Sequence, residues 1–271
     1  MYKARKVSTA QKEDLDILES LKTNDVVIVR GSYDFIESVF GLVGIPYTLI
    51  EPHQVETAKL RTEQLVFVNC PGDIDKRGIE NLVEFVRKGG YLVTTDWALK
   101  NVLETGFPGI VEFNGKETGD EVVSVEVKDW DNPIIKNTFS KEDEPAWWLE
   151  GASYPIRILD KENVEVLVVS KELGERYGED PVVVSFWYEE GRIYHMISHF
   201  YLQRSETRTK RHQQKGDAYV TEKGMTAKFT AEEMEDLADM DLGEMESAYT
   251  AQSFINELII EKKKSEQEKK S

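Results

Sequence analysis

Apolar positions fall along the first hundred residues in two alternating rhythms. Short apolar runs predict strands: DVVIVR at 25–30, with the signature of a strand buried on both faces, then YTLIEP at 47–52, QLVFVNCPG at 64–72 and YLVTTDWA at 91–98. Between them the period lengthens. GSYDFIESVFGLVGIP places Phe35, Val39, Leu42 and Val43 on one helical face and ends at Gly44 and Pro46. IDKRGIENLVEFVRKGG places Ile79, Leu82, Val83 and Val86 on one face and stops at the Gly89–Gly90 pair. An N-terminal helix is expected within 1–22, capped by Ser8 or Thr9, with Leu15, Leu18 and Leu21 at helical spacing. Strands alternating with helices imply an α/β fold: a flavodoxin-like open, mostly parallel sheet flanked by helices.

The rhythm changes in the second half. DEVVSVEVKD alternates, and VEVLVVSKEL, DPVVVSFWYEEG and RIYHMISHF follow with few helices between them. The last two read as a hairpin around Glu189, Glu190 and Gly191. This half is expected to extend the sheet with an antiparallel edge. Beyond Gln203 the composition turns polar. RSETRTKRHQQKG is basic, and AEEMEDLADMDLGEMES carries eight acids in seventeen residues. The opposite charges of 204–215 and 231–246 would let this segment fold back on itself. AYTAQSFINELIIEKKK then predicts an amphipathic C-terminal helix with Phe254, Ile255, Leu258 and Ile259 as its apolar face.

Composition narrows the class. Of 271 residues, 40% are hydrophobic, enough for a sizeable core. A formal net charge of −17 argues against nucleic acid and anionic membrane surfaces as partners. The single cysteine, Cys70, excludes a disulfide framework. The N-terminal stretch has no apolar core, and no apolar run approaches the roughly 20 residues of a membrane span. A cytoplasmic protein is expected.

Candidate chemistry sits at the strand-to-helix corners, because ligands of open parallel sheets bind outside the carboxyl ends of strands. The first corner, RGSYDF, lacks the glycine fingerprints of nucleotide-binding loops, so no cofactor is expected. Gly31 and Ser32 there could still face an anion through free backbone amides. Cys70 follows a strand, with His199 or His53 available as a base, but the following Pro71-Gly72 reads as a turn and favours packing. His195 and His199 stand four residues apart in a predicted strand, so their Cα atoms are roughly 13 Å apart and one ion cannot bridge them. No metal site is expected. His195 reads as packed mid-strand, and His199 as the strand-end candidate. Trp97 and Trp148 are the tryptophans placed to line a pocket, completing a set of Gly31, Ser32, Cys70, Trp97 and Trp148 around Asp96 and His199.

Two passages carry a family resemblance. IDKRGIENLVEFVRKGGYLVTTDWALKN, a helix ending in a glycine pair followed by a strand and a polar corner, resembles the class I glutamine amidotransferase-like superfamily and its trehalose-utilisation-type members. GRIYHMISHF is similar to the family's final strand, which delivers a histidine to the carboxyl edge. The resemblance spans roughly residues 24–203. In catalytic members it implies a cysteine at the elbow after the fourth strand and a carboxylate two residues beyond the late histidine. Here the elbow reads Thr95-Asp96-Trp97, and Tyr201 stands two residues after His199. The glutaminase triad is therefore absent, and with it the thioester route.

The expected organisation is an amidotransferase-like domain over 1–203, a charged, partly flexible segment over 204–247, and a helix and tail over 248–271. Two functions are open. One is a non-catalytic binding or assembly module, with the C-terminal helix docking its own domain, a protein partner or a second copy. The other is a hydrolase or sugar-modifying enzyme using Asp96 and His199, with or without a metal. Their separation decides between them: beyond about 8 Å, no shared chemistry is within hydrogen-bond reach.

Overall fold

Eight strands hydrogen-bond into one sheet in the computed structural model, which describes residues 12–139, 145–199, 214–222, 230, 231, 234, 235, 238 and 242–269. The strands are β1 (Val26–Val29), β2 (Thr48–Ile50), β3 (Leu65–Val68), β4 (Tyr91–Thr95), β5 (Val111–Phe113) and β6 (Glu121–Ser124). They continue with β7 (Glu126–Val127), β8 (Ala146–Leu149), β9 (Ile156–Ile158), β10 (Glu165–Val169), β11 (Pro181–Tyr188) and β12 (Gly191–Met196). The order in the main sheet is β2-β1-β3-β4-β12-β11-β10-β7. The first five are parallel neighbours; β11, β10 and β7 extend them antiparallel. The parallel half has the flavodoxin-like order, with the direction of addition reversing between β1 and β3. Two ribbons, β5 with β9 and β6 with β8, lie outside this sheet.

The apolar runs form the centre as their composition requires. Every residue of β1, β3, β4 and β12 is buried, as befits strands inside a helix-covered sheet. Among the described residues the α-helices longer than one turn are α1 (Lys12–Glu19), α2 (Ile36–Val43), α3 (Lys76–Arg87), α4 (Pro133–Thr138), α5 (Lys171–Tyr177), α6 (Gly216–Glu222) and α7 (Leu242–Glu268). α3 starts where Asp75 accepts the Gly78 amide, a side-chain N-cap, and turns Ile79, Leu82, Phe85 and Val86 inward. α2 differs from its expected face. It begins at Ile36, and Phe35 stands before it, 47% exposed, while Ile36, Val39 and Phe40 point into the core. The expected caps Ser8 and Thr9, and nearly all of the basic stretch at 204–215, lie outside the described residues.

The C-terminal helix is part of the domain. α7 begins at Leu242, earlier than the boundary expected at 248, and packs on α4, α1 and α2. Ala251, Phe254, Ile255, Leu258 and Ile259 are buried in this contact. Polar ties fix its register. Glu261 meets Arg192 at 2.8 Å and accepts the Tyr194 hydroxyl at 2.5 Å; the buried Lys262 ammonium donates to the Gly89 carbonyl at 2.8 Å. Arg192 also meets Glu165 at 2.6 Å and lies over the Trp187 and Tyr194 rings, so its charge is matched where it is buried. No described helix is long and apolar enough to cross a membrane.

Leu258→Ala therefore lowers unfolding stability by about 2–5 kcal/mol, the cost of emptying a core leucine site. Urea denaturation at neutral pH checks this: a single transition at lower denaturant is expected, whereas an unshifted midpoint would mean the helix stands apart from the core.

Candidate functional site

Four strand ends converge at the carboxyl edge of the parallel half. β1 leads to Asp34, β3 to Cys70, β4 to Asp96, and β12 to His199, which lies three residues past the strand rather than within it. β12 pairs with β4 in register, His195 opposite Thr94 and Met196 opposite Thr95. The two chains then turn sharply side by side. Asp96 (φ 44°) and Ser198 (φ 60°) both adopt left-handed backbone, a conformation that aspartate tolerates better than most residues. The Asp96 amide donates to the Met196 carbonyl at 3.0 Å and locks the two corners together.

The cluster is enclosed. Asp34 is 0%, Cys70 1%, Asp96 3% and His199 6% exposed. His199 Nε2 lies 3.8 Å from Asp96 Oδ2, and Nδ1 lies 3.0 Å from Glu150 Oε2. One donor atom each from Cys70, Asp96 and His199 fall within 4.8 Å of one another, so this trio could hold a metal ion. His199 thus finds its neighbours on other strands, not in His195.

Backbone and hydroxyl groups hold the acids in place. The loop after β8 closes over Asp96, whose Oδ1 accepts the Tyr154 amide at 2.8 Å and whose Oδ2 accepts the Ser153 hydroxyl at 3.2 Å. The same loop carries Glu150, whose amide donates to Ser198 Oγ at 3.1 Å. On the other side the Cys70 amide donates to Thr95 Oγ1 at 3.0 Å, and that hydroxyl donates to Asp34 Oδ2 at 2.6 Å. Asp34 Oδ1 is enclosed and has no hydrogen-bond partner among the described residues.

Charge follows from this packing. Burial pushes Asp96 up to about 6, against the pull of the His199 charge and its hydrogen bonds. Burial raises Asp34 as well, and pushes the Cys70 thiol up. Burial alone would lower His199, but contact with Cys70 and Glu150 and the charges of Asp34 and Glu150 outweigh it and push it up to about 11. His195 is the opposite case. It is fully buried mid-strand, its Nδ1 lies 2.8 Å from Thr94 Oγ1, and burial pushes it down to about 3, so it is neutral.

The other candidate residues divide. Ser32 does not offer a free amide, because the Ser32 and Tyr33 amides donate to the Cys70 carbonyl. Gly31 is there because a side chain would meet that carbonyl oxygen at 2.2 Å. Trp97 is half-buried, stacked on Tyr154 and edge-on to the exposed Tyr33, with Tyr154 stacked on Phe113 in turn. Trp148 turns away and donates to Asp120 at 2.6 Å; its neighbour Trp147 reaches the Ile197 carbonyl at 3.0 Å. His53 is exposed in the β2–β3 connection. Sequence reasoning missed Asp34 and Glu150. The only signal was position: each is an acid in a corner loop, within RGSYDF and WWLEG.

No protein-family model and no curated protein matches the chain. Solved structures of similar architecture include a cytoplasmic protein of Salmonella typhimurium, 12% identical over 65% of this chain and 88% of that one, with TM-score 0.45. A ThuA-like protein from Bacteroides uniformis is 15% identical over 65% and 82%, with TM-score 0.47. A beta-galactosidase from Bacillus circulans sp. alkalophilus is 14% identical over 68% of this chain and 30% of its own, with TM-score 0.44. No residue role transfers from likenesses of this size.

Asp34 offers a stability test of the acidic cluster. Its folded pKa is raised, so its contribution is fully present below the ordinary value of 3.8 and is lost as pH rises through the raised one. Asp34→Asn removes the titratable group and keeps an acceptor for Thr95. The variant is expected to be more stable at pH 7 by about 1–3 kcal/mol, with the gain shrinking toward pH 4, as read by urea denaturation at both pH values.

Proposed function

We propose that the chain is a hydrolase built on an amidotransferase-like α/β scaffold, with Asp96 and His199 at its centre. The observation that carries this reading is the 3.8 Å approach of Asp96 and His199, close enough for one water molecule to meet both groups. Their placement supports it. They leave adjacent parallel strands at the carboxyl edge, on strained left-handed corners, which recur where a side chain must be aimed rather than packed.

The reaction class follows from what the cluster contains. Carboxyl groups beside an imidazole orient and polarise a water molecule. Hydroxide adds to the electrophilic atom of the substrate, and the proton, held meanwhile on a carboxyl of the cluster, goes to the leaving group. The aromatic rings of Tyr33, Trp97 and Tyr154 suit a substrate with a flat apolar face, such as a sugar or an aromatic ring. Surrounding acids disfavour anionic substrates.

A panel of chromogenic esters, phosphate esters and glycosides tests the proposal. One neutral class is expected to turn over, and Asp96→Asn and His199→Gln are each expected to lower kcat/KM by about 10²–10⁴-fold with the fold intact by circular dichroism. Equal rates for the parent and both variants in all three classes would contradict it.

A further inference from the structure

The distance from His199 Nε2 to Asp96 suits a shared ion better than a direct hydrogen bond. At 3.8 Å, Nε2 and Asp96 Oδ2 are too far apart to share a proton directly, since such bonds run about 2.7–3.2 Å. Two ligands of one tetrahedral zinc ion, each about 2.0–2.2 Å from it, stand roughly 3.3–3.6 Å apart. The Cys70 sulfur belongs to the same trio, whose donor atoms lie within 4.8 Å of one another. Meanwhile Nδ1 faces Glu150 at 3.0 Å. A carboxylate on the far nitrogen is the arrangement that fixes a metal-binding imidazole and raises its donor strength.

Charge points the same way. A thiolate, a carboxylate and a neutral imidazole together balance a divalent ion. Without a metal ion, a single imidazolium faces three carboxyl groups and a thiol, and Asp34, Cys70 and Asp96 among them are nearly fully buried, at a high desolvation cost. Asp34 is a separate indication. Its Oδ1 is fully buried and has no hydrogen-bond partner among the described residues, and its other oxygen is tied through Thr95 to the Cys70 backbone. A buried acceptor left open beside a metal is suited to a proton from metal-bound water.

We propose that Cys70, Asp96 and His199 bind one zinc-type divalent ion, with a fourth position open to water and Glu150 orienting His199. Thiolate, imidazole and carboxylate together favour zinc, cobalt(II) or iron(II) over magnesium or calcium. The role given to the ion, activating the attacking water, rests on the hydrolase reading of this site; the binding does not.

Cobalt(II) titration of the chelator-treated full chain tests the two separately. One equivalent is expected to bind, with visible bands of tetrahedral intensity and a near-ultraviolet thiolate-to-cobalt band, and to be displaced by zinc. Cys70→Ser is expected to lose the thiolate band. His199→Gln should weaken binding at least about 100-fold and Glu150→Gln about 10-fold, in line with the loss of a ligand and of its supporting partner. Circular dichroism of each variant separates lost binding from lost fold. Substoichiometric uptake, or a thiolate band that survives in Cys70→Ser, overturns the site. Hydrolysis at full rate by chelated protein overturns the metal's role and leaves the hydrolase standing. A full cobalt spectrum in a protein without hydrolysis keeps the site and removes the hydrolase.

Discussion

The parallel pairing of β12 with β4 is the constraint on which the site depends. It sets His195 against Thr94 and Met196 against Thr95, and so fixes where each chain leaves the sheet. Both then turn through left-handed residues, Asp96 and Ser198, joined by the Asp96 amide to the Met196 carbonyl. A shift of one residue would swap the faces of every side chain on β12. The sheet holds the register because all of β4 and β12 is buried, and α7 holds it from outside through Arg192, Tyr194 and Glu261. The last helix thus braces the strand that delivers His199.

What the corners bring together is costly to bury. Asp34, Asp96 and His199 lose nearly all of their solvent, and burial works against the charged form of each. Directed contacts offset part of this: the Tyr154 amide and Ser153 hydroxyl on Asp96, the Thr95 hydroxyl on Asp34, and Glu150 on His199. A fold that needed only a core would have apolar residues at these positions. Groups whose burial opposes their charge, gathered at one strand edge, are what the proposal of a functional site at this corner draws on.

Much of this was legible in the residues. VVIV, LVFV and YLVTT read as central strands, and Ile79, Leu82, Val83 and Val86 ahead of the Gly89–Gly90 stop marked α3. The glycine-led run ending in His199 gave the edge at which the site lies. Local pattern failed where tertiary closure decided the outcome. Phe35 shares the period of α2 but precedes its first turn, so it faces outward. Cys70 reads as packing because its proline and glycine make a turn, and the fold places its buried thiol in the cluster with His199 and Asp96, neighbours that local sequence does not show. Asp34 and Glu150 come from loops whose direction is set by contacts with Thr95 and Ser198, distant in the chain.

The two histidines allow one measurement to test this directly. Ring ¹⁵N NMR of chelator-treated protein reports the protonation of each separately. His199, held among Cys70, Glu150 and Asp34, is predicted to stay doubly protonated from about pH 6 to pH 9, well above its ordinary 6.5. His195, one strand turn away against Thr94, is predicted to stay neutral down to about pH 4. Titration of His199 near 6.5 would mean that the acids do not surround it, and would contradict the convergence on which the site is built.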